Sequence, residues 1–485
     1  MKLKELLEGV SYELLQGDAE IEVNHICWDS RRATKDSMFI ATKGKNLDRH
    51  EFIEDALKNG AKAIVIDQWI RYVPENVTVI KVENSKIAMA HIASRFFHEP
   101  SKGLNLIGMT GTNGKTSTSY FIKKIMEECG KKVGVIGTIE SKIGENIKVK
   151  TEKLNPTTPD SIELQSMFNE MVSHGVTDVV MEVTSVALEN YRVHGCNFEV
   201  AVFTNLTQDH LDDHGTMENY KNAKMKLFRM SNYGIINGDD KICEEIQKYA
   251  TCKILTYSID KDADLKAKNI IYSLKGVKFA LEFNDREWEV HLGIPGKFSV
   301  YNALATIGAC YSLGFKMEDI ISAIRKIQLV KGRFEVVEVP KDYLVVVDYA
   351  HTPDGLENIL TSLKDLKKGD LITVFGCGGD RDNSKRPIMG EIAGKYSDYV
   401  VITSDNPRNE DPLKIISQIE AGVKKSYCSY TKLENRREAI EVALERAKSG
   451  DIVLIAGKGH ENYQIIKDQV IEFDDVEVVK NFFPK

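Results

Sequence analysis

The residues best placed to do chemistry lie between Leu104 and Ser117. The run reads Leu104-Asn105-Leu106-Ile107-Gly108-Met109-Thr110-Gly111-Thr112-Asn113-Gly114-Lys115-Thr116-Ser117. Its apolar part reads as a short buried strand, and a glycine-bearing turn follows. The stretch from Ser117 to Cys129 predicts a helix, with Phe121, Ile122, Ile125 and Met126 spaced along one face. Strand, turn, Lys-Thr and helix together make a phosphate cradle, because backbone N–H groups and a helix N-terminus both attract anionic oxygens. In such a cradle Lys115 would neutralise β/γ-phosphate charge, and the Thr116 hydroxyl would face Mg²⁺. The strict form of this motif has glycine at position 109 and meets Met109 here, so the loop is a variant flanked by Gly108 and Gly111.

Other candidates stand where strands end. Asp178 to Ser185 predicts a buried strand carrying Glu182, and a carboxylate there suits a Mg²⁺-handling acid beside a phosphate loop. A strand over Glu199–Asn205 runs into Thr207-Gln208-Asp209-His210-Leu211-Asp212-Asp213-His214. That places His210 beyond a strand end, where α/β sheets bind ligands, although a solvated loop histidine fits equally. Asn155-Pro156-Thr157-Thr158-Pro159-Asp160 predicts a rigid, hydroxyl-rich turn before a helix over 161–173, with Thr158 or Asp160 as its cap. Lys221, Lys224 and Lys226 on a helix over 217–231 read as a solvated face. Residues 252–300 are β-rich, and Asn302 on a helix over 300–313 reads as a cap.

The pattern that positions such groups is clearest over 332–485. Four strands, at 343–347, 371–375, 399–403 and 452–456, alternate with helical stretches, as in a doubly wound parallel sheet. Each strand ends in a polar cluster: Asp348-Tyr349-Ala350-His351, Gly376 to Asp382, Ser404 to Arg408, and Gly457-Lys458-Gly459-His460-Glu461. Arg381 and Arg408 suit carboxylates, whereas Asp405 and Glu461 suit ammonium groups. A nucleotide-triphosphate domain joined to a domain made for a zwitterion points to ligation. The first 98 residues read as a small α/β unit with strands at 38–40 and 61–66, helices at 51–59 and 85–98, and a polar loop over 44–52. Within it, Ser30 and Arg31 could hold phosphate or sugar hydroxyls or simply form a turn.

Length and composition agree with this division. A chain of 485 residues, 42% hydrophobic and 28% charged, has room for about three domains. A net charge of −7 gives no electrostatic footprint for nucleic acid or anionic lipid. The eight cysteines have no zinc or C-x-x-C spacing and read as reduced fillers. No secretory leader or membrane-length apolar run is evident, so a cytoplasmic enzyme is expected.

With these motifs in hand, the chain resembles the Mur ligases of bacterial cell-wall synthesis over essentially its whole length. The resemblance rests on residues 110–116, the 155–159 turn, Glu182, His210, Ala223-Lys224, Gly332-Arg333-Phe334-Glu335 and Asp348-Tyr349-Ala350-His351. It is closest to members that extend UDP-N-acetylmuramoyl-L-alanyl-D-glutamate. Asp405-Asn406-Pro407-Arg408 is similar to the signature of those adding meso-2,6-diaminopimelate. The resemblance implies three α/β domains: a UDP-binding unit over 1–98, a P-loop ATPase unit over 99–331 and a Rossmann-like amino-acid unit over 332–485.

The resemblance also implies roles. Thr110 to Ser117, Asn302, Arg333 and Asp348 would bind ATP. Ser30, Thr157, Thr158, Ser185 and Arg192 would hold the UDP-muramoyl-dipeptide. Arg381, Asp405, Asn406, Pro407, Arg408, Gly457 and Glu461 would bind diaminopimelate. Lys224 would carry a CO₂-derived carbamate and, with Thr116, Glu182 and His210, surround Mg²⁺; Lys115, Lys224, Glu182 and His210 form the expected catalytic set. The enzyme is expected to be a monomer whose C-terminal domain swings about residues 331–333. Two departures stand out: Val186 where the family has histidine, and Arg49 where it has glycine. A lysine-adding ligase, a folylpolyglutamate synthase-like ligase and a non-catalytic nucleotide-binding partner are the competing readings.

Overall fold

The computed structural model describes all residues except 46, 71–73, 140, 144–146, 149–156 and 484–485, with backbone alone at 147–148. Asn155 and Pro156 of the expected turn therefore lie outside the described residues. The chain divides into two compact units. One comprises Met1–Thr110, Gly130–Ala201 and Lys226–Asn232; the other comprises Gly111–Cys129, Val202–Met225 and Tyr233–Lys485.

The first unit opens with a five-stranded sheet. Its strands are β1 (Tyr12–Gln16), β2 (His25–Cys27), β3 (Ser37–Ile40), β4 (Ala61–Ile66) and β5 (Thr78–Val82), in the order β1-β5-β4-β3-β2. Only β1 runs antiparallel. Met38 and Ile40 enter one core with Val65 and Ile80, while Phe39 enters the other with Ile64 and Val79. This two-residue alternation lets both faces be covered. The expected helix over 51–59 is a 3₁₀ turn at Arg49–Phe52 leading into Ile53–Lys58, and that over 85–98 spans Ser85–Phe96.

The same unit holds β6 (Asn105–Thr110), β7 (Val133–Ile136), β8 (Ser141–Ile143), β9 (Ile147–Lys148), β10 (Asp178–Glu182) and β11 (Phe198–Phe203), ordered β11-β6-β10-β7-β8-β9. β10 pairs in parallel with both β6 and β7, so its residues are buried on both faces. Gly108 is needed there, since a Cβ would stand 2.9 Å from the Phe198 ring. The helix Ser161–Ser173 forms as expected and is capped by Asp160, which accepts from the N–H groups of Ile162 and Glu163.

In the second unit the Gly111–Gly114 loop leads into a helix at Lys115–Glu128. β12 (Ser231–Asn237), β13 (Lys253–Ser258), β14 (Leu265–Ser273), β15 (Gly276–Phe283) and β16 (Arg286–Leu292) follow in that order, the last two antiparallel. The expected helix over 217–231 stops at Met225, tightens into a 3₁₀ turn at Lys226–Arg229 and becomes β12.

The last sheet has β17 (Glu335–Val337), β18 (Leu344–Asp348), β19 (Leu371–Phe375), β20 (Tyr399–Thr403), β21 (Ser429–Leu433) and β22 (Ile452–Ala456), ordered β17-β18-β22-β19-β20-β21. Four of these strands match the expected pattern; β17 and β21 are edge strands, half exposed and without a continuous apolar run. Helices at Pro353–Lys364, Lys385–Tyr396 and Pro412–Val423 cover one face, and those at Arg436–Arg446 and Asp475–Phe482 cover the other. The sheet is doubly wound, and its strand ends present the four polar clusters.

Candidate functional site

Three groups of predicted residues come together, two in the second unit and one in the first. The first surrounds the loop Gly111–Gly114. Gly111 has φ +143°, and a Cβ on it would lie 1.9 Å from Thr204 Oγ1, so only glycine allows the turn. The loop is tied down by Thr112 N–H donating to the Asn205 carbonyl at 2.9 Å and Asn113 N–H to Asn205 Oδ1 at 2.9 Å. Lys115 Nζ donates to the Gly111 and Thr112 carbonyls, each at 2.8 Å, which holds its charge at the loop rim.

A cavity of about 390 Å³ lies against this loop, lined by Asn113, Gly114, Ser117, Asn302, Arg333 and Asp348 among others. Arg333 Nη2 donates to Thr116 Oγ1 at 3.2 Å, and its guanidinium lies 4.5 Å from the Tyr349 ring centre. Its Nε is buried without a partner, a donor suited to a phosphate oxygen. Asp348 accepts from the Phe334 and Ala350 N–H groups at 2.7 and 2.8 Å; burial raises its carboxyl and Arg333 opposes that. Asn302 is not a cap. It sits inside the helix Lys297–Ser312, buried, with Oδ1 3.4 Å from Thr118 Oγ1 and 2.7 Å from where a Cβ on Gly114 would stand.

The lysine helix is also not a solvated face: Lys221 and Lys224 are buried. Lys224 Nζ donates to the Gly111 carbonyl at 2.9 Å and lies 4.3 Å from the Tyr220 ring centre. Burial, then repulsion from Lys115, pulls its amine well below the usual lysine range, which favours the neutral, nucleophilic form. Tyr220 OH pairs with Thr112 Oγ1 at 3.2 Å, so helix and loop share one network. His210 has φ +53° and lies between Asp209 at 3.5 Å and Asp213 at 3.7 Å. Burial opposes ionisation of Asp209, but Lys385, 3.5 Å away, and the nearby histidines hold its carboxyl far below the usual range. Sequence reasoning missed Asp209 and Lys385; only the Asp209-His210 adjacency could have drawn attention to the first.

The second group caps β19, β20 and β22. Asp405, Asn406 and Pro407 are buried, Arg408 is half-buried and Arg381 is exposed. Arg408 donates to the Gly379 carbonyl at 2.8 Å, and Arg381 to the adjacent Asp380 carbonyl at 3.0 Å. Asn406 Nδ2 donates to Glu461 Oε2 at 2.8 Å. Gly457 N–H donates to the Asp348 carbonyl at 3.0 Å, which connects this group to the cavity that Asp348 lines.

In the first unit, Glu182 is buried at the end of β10 and accepts from Thr138 N–H at 3.0 Å and Thr138 Oγ1 at 3.1 Å. Thr138 Oγ1 in turn lies 3.1 Å from Thr157 Oγ1. Thr158 Oγ1 donates to the Glu182 carbonyl at 2.9 Å, and Arg192 Nη1 donates to the Thr158 carbonyl at 2.8 Å. Thr184 caps the short helix Ser185–Glu189 that carries Ser185 and Val186. Ser30 is buried in a separate 3₁₀ turn, with Arg31 paired to Asp29 and 87% exposed, so the turn reading describes Arg31. Arg49 stacks 4.2 Å from the Trp28 ring centre.

Comparison with known proteins places this geometry. Residues 22–97 match the pattern described as Mur ligase family, catalytic domain; 109–310 match the Mur ligase middle domain; 332–459 match the Mur ligase, glutamate ligase domain. The chain is 50% identical over 481 residues to the UDP-N-acetylmuramoyl-L-alanyl-D-glutamate–2,6-diaminopimelate ligase of Caldanaerobacter subterraneus, covering 99% of this chain and 98% of that one. It is 46% identical to ligase 2 of the same description from Clostridium acetobutylicum, covering 99% of each. A solved structure of a ligase of that description superposes with a TM-score of 0.70 at 34% identity, covering 99% and 98% of the two chains. The MurF ligase of Thermotoga maritima in complex with ADP shares the fold, with a TM-score of 0.64 at 21% identity over 95% and 96%.

Proposed function

The chain belongs to the Mur ligase family, and from that premise we propose that it joins meso-2,6-diaminopimelate to UDP-N-acetylmuramoyl-L-alanyl-D-glutamate, driven by ATP, in peptidoglycan precursor synthesis. The observation that carries the reading is the shared cavity: the loop residues Asn113 and Gly114, Arg333 just before β17, and Asp348 at the end of β18 line the same space. Relatives 44–50% identical over almost the full chain, among them those of Caldanaerobacter subterraneus, Clostridium acetobutylicum and Clostridium botulinum, are named as diaminopimelate ligases, which favours that acceptor over lysine or a folate.

In the proposed reaction the substrate's D-glutamyl carboxylate attacks the γ-phosphorus of ATP. Lys115 and Arg333 stabilise charge on the phosphoryl oxygens. An acyl phosphate forms and ADP leaves. The neutral amine of the diamino acid attacks the acyl carbon, and the tetrahedral intermediate expels phosphate to leave an amide. Thr110 to Ser117, Asn302 and Asp348 orient the nucleotide. Ser30, Thr157, Thr158, Ser185 and Arg192 hold the muramoyl-dipeptide. Arg381, the 405–408 cluster, Gly457 and Glu461 hold the amino acid. The three domains take the boundaries 1–98, 99–331 and 332–485, and closure of the last about residues 331–333 brings the acceptor to the acyl phosphate.

The donor chemistry fits Mg²⁺. Thr116 offers a hydroxyl, Glu182 a buried carboxylate and His210 an imidazole. The neutral Lys224 amine can attack CO₂ and release a proton to form a carbamate, a further oxygen donor. When bound, the metal would neutralise phosphate charge. The reading places the enzyme in the cytoplasm as a monomer; among the described residues no helix is long and apolar enough to cross a membrane.

The test is phosphate release from ATP with the UDP-muramoyl-dipeptide, in bicarbonate buffer, with meso-diaminopimelate, L-lysine or no amino acid. Release only with diaminopimelate, with the matching tripeptide mass, supports the proposal. Release only with lysine changes the acceptor, and no release with either overturns it.

A further inference from the structure

Lys458 has no place in the reaction as described, yet it is fully buried against Glu461 and Asn406 of the proposed amino-acid site. Its Nζ donates to Glu461 Oε2 at 3.0 Å and to Asn406 Oδ1 at 3.2 Å, and lies 5.5 Å from the Tyr463 ring centre. Asn406 closes the triangle: Nδ2 donates to the same Glu461 Oε2 at 2.8 Å, and Oδ1 also accepts from Ile465 N–H at 3.0 Å. With two donors on Oδ1 and an acceptor at Nδ2, the Asn406 amide has one orientation. The backbone on either side is pinned as well. Gln464 Nε2 donates to the Asp405 carbonyl at 2.6 Å, and Arg408 N–H to the Ile465 carbonyl at 3.1 Å.

The network concentrates its donors on one oxygen. Both side-chain contacts to Glu461 fall on Oε2, and among the described residues none reaches Oε1. Asp405 behaves alike: Oδ1 accepts from Asn406 N–H at 2.7 Å, while Oδ2 is buried without a partner. Beside that oxygen stands Gly457, on which a Cβ would come within 2.7 Å of Oδ2, so glycine keeps the space next to it open. Asp405 is buried and Glu461 half-buried, and the charge of Lys458, with that of Arg436, holds the Asp405 carboxyl below its usual range against the cost of burial. Arg436 adds its charge from a distance, but its guanidinium hydrogen bonds are taken up by Asp475 and by backbone carbonyls, so Lys458 is the cation that bonds Glu461 and Asn406 directly.

We infer that Lys458 is a positioning residue for the incoming amino acid: its ammonium locks Asn406 and Glu461 Oε2 together and leaves Glu461 Oε1 and Asp405 Oδ2 as acceptors for an ammonium group of the acceptor substrate. The inference rests on the amino-acid site proposed above. A lysine that merely fills space would affect all substrates alike; a positioning lysine acts on one of them.

The experiment measures kcat and KM for each of the three substrates in wild type, Lys458→Met, Lys458→Gln and Lys458→Arg, with thermal midpoints alongside. The Met variant should raise KM for the diamino acid at least tenfold and leave KM for ATP and for the UDP-muramoyl-dipeptide within twofold. Arg, which keeps charge and donors, should recover most of that loss. Gln keeps donors without charge, carries the same readout if Met does not fold, and should fall between them. An unchanged KM for the diamino acid in Met or Gln overturns the inference, as does an equal loss for all three substrates. A wild-type enzyme that ligates no diaminopimelate overturns the underlying reading instead, so the two failures are separable.

Discussion

The ion pair between Arg436 and Asp475 gives a prediction whose size follows from its geometry. Both side chains are fully buried. Arg436 Nε and Nη2 donate to the two Asp475 oxygens at 2.8 Å each, a bidentate match. The guanidinium also donates to the Ala456 carbonyl at 3.1 Å and the Ser404 carbonyl at 3.4 Å, bridging the ends of β22 and β20 from which the 457–461 and 405–408 clusters extend. Asp475→Asn leaves this cation buried without its bidentate partner, with only the more distant Asp405 and Glu461 charges to offset it, at a cost of about 3–5 kcal/mol. For the proposed C-terminal domain, of roughly 150 residues, that corresponds to a midpoint about 10 °C lower. Replacing both partners with apolar residues, Arg436→Met with Asp475→Leu, should recover most of the loss, since a buried pair and an apolar pair of similar volume differ little. Calorimetry on the full chain measures this as midpoint differences, because a chain of several domains does not unfold in two states. KM for the diamino acid should rise in Asp475→Asn while KM for ATP holds. A single variant within about 1 kcal/mol of wild type, or a double variant no better than the single, refutes the reasoning.

Other outcomes follow from the same geometry. Arg408→Ala should cut the preference for diaminopimelate over lysine at least tenfold in kcat/KM; an unchanged ratio removes Arg408 from the specificity argument. Lys224→Ala should lower kcat about 10³-fold, through loss of several kcal/mol of charge stabilisation, and wild-type protein in bicarbonate should show the mass of one added CO₂ that the variant lacks. Gly111→Ala forces a Cβ against Thr204 and should raise KM for ATP more than tenfold or prevent folding, read by nucleotide binding and circular dichroism. Burial holds His351 down to about 4 and His460 to about 3, so the folded state keeps both rings neutral while the unfolded chain takes up protons near pH 6.5. Their stabilising effect is complete above that pH and fades as pH falls through about 6.5, toward 4 for His351 and toward 3 for His460. Thermal midpoints across this window should drop, and less steeply in His351→Asn.

The sequence by itself determined what local chemistry and periodicity encode. Residues 104–129 required a strand, a glycine-bearing turn and a helix because glycines and the apolar spacing all lie within one short stretch, and the fold has strand and helix at Asn105–Thr110 and Lys115–Glu128. Buried parallel strands were legible for the same reason: a strand covered on both faces reads as a continuous apolar run, as at 371–375 and 452–456. Edge strands β17 and β21 were not, since a half-exposed strand lacks that signal.

Tertiary structure decided the rest. Lys224 reads as one surface lysine among three until the fold buries it against Gly111 and Tyr220, and Asn302 reads as a cap until the helix starts at Lys297 and carries it inside. Arg333, distant from Thr116 in sequence, reaches its hydroxyl only once the chain has folded. Lys458 is similar: nothing in Gly-Lys-Gly-His-Glu says which carboxylate its ammonium meets. The physical reason is common to all four. Motif and periodicity report forces between near neighbours in the chain, whereas burial, charge pairing and a lysine's protonation depend on groups brought close by chain folding.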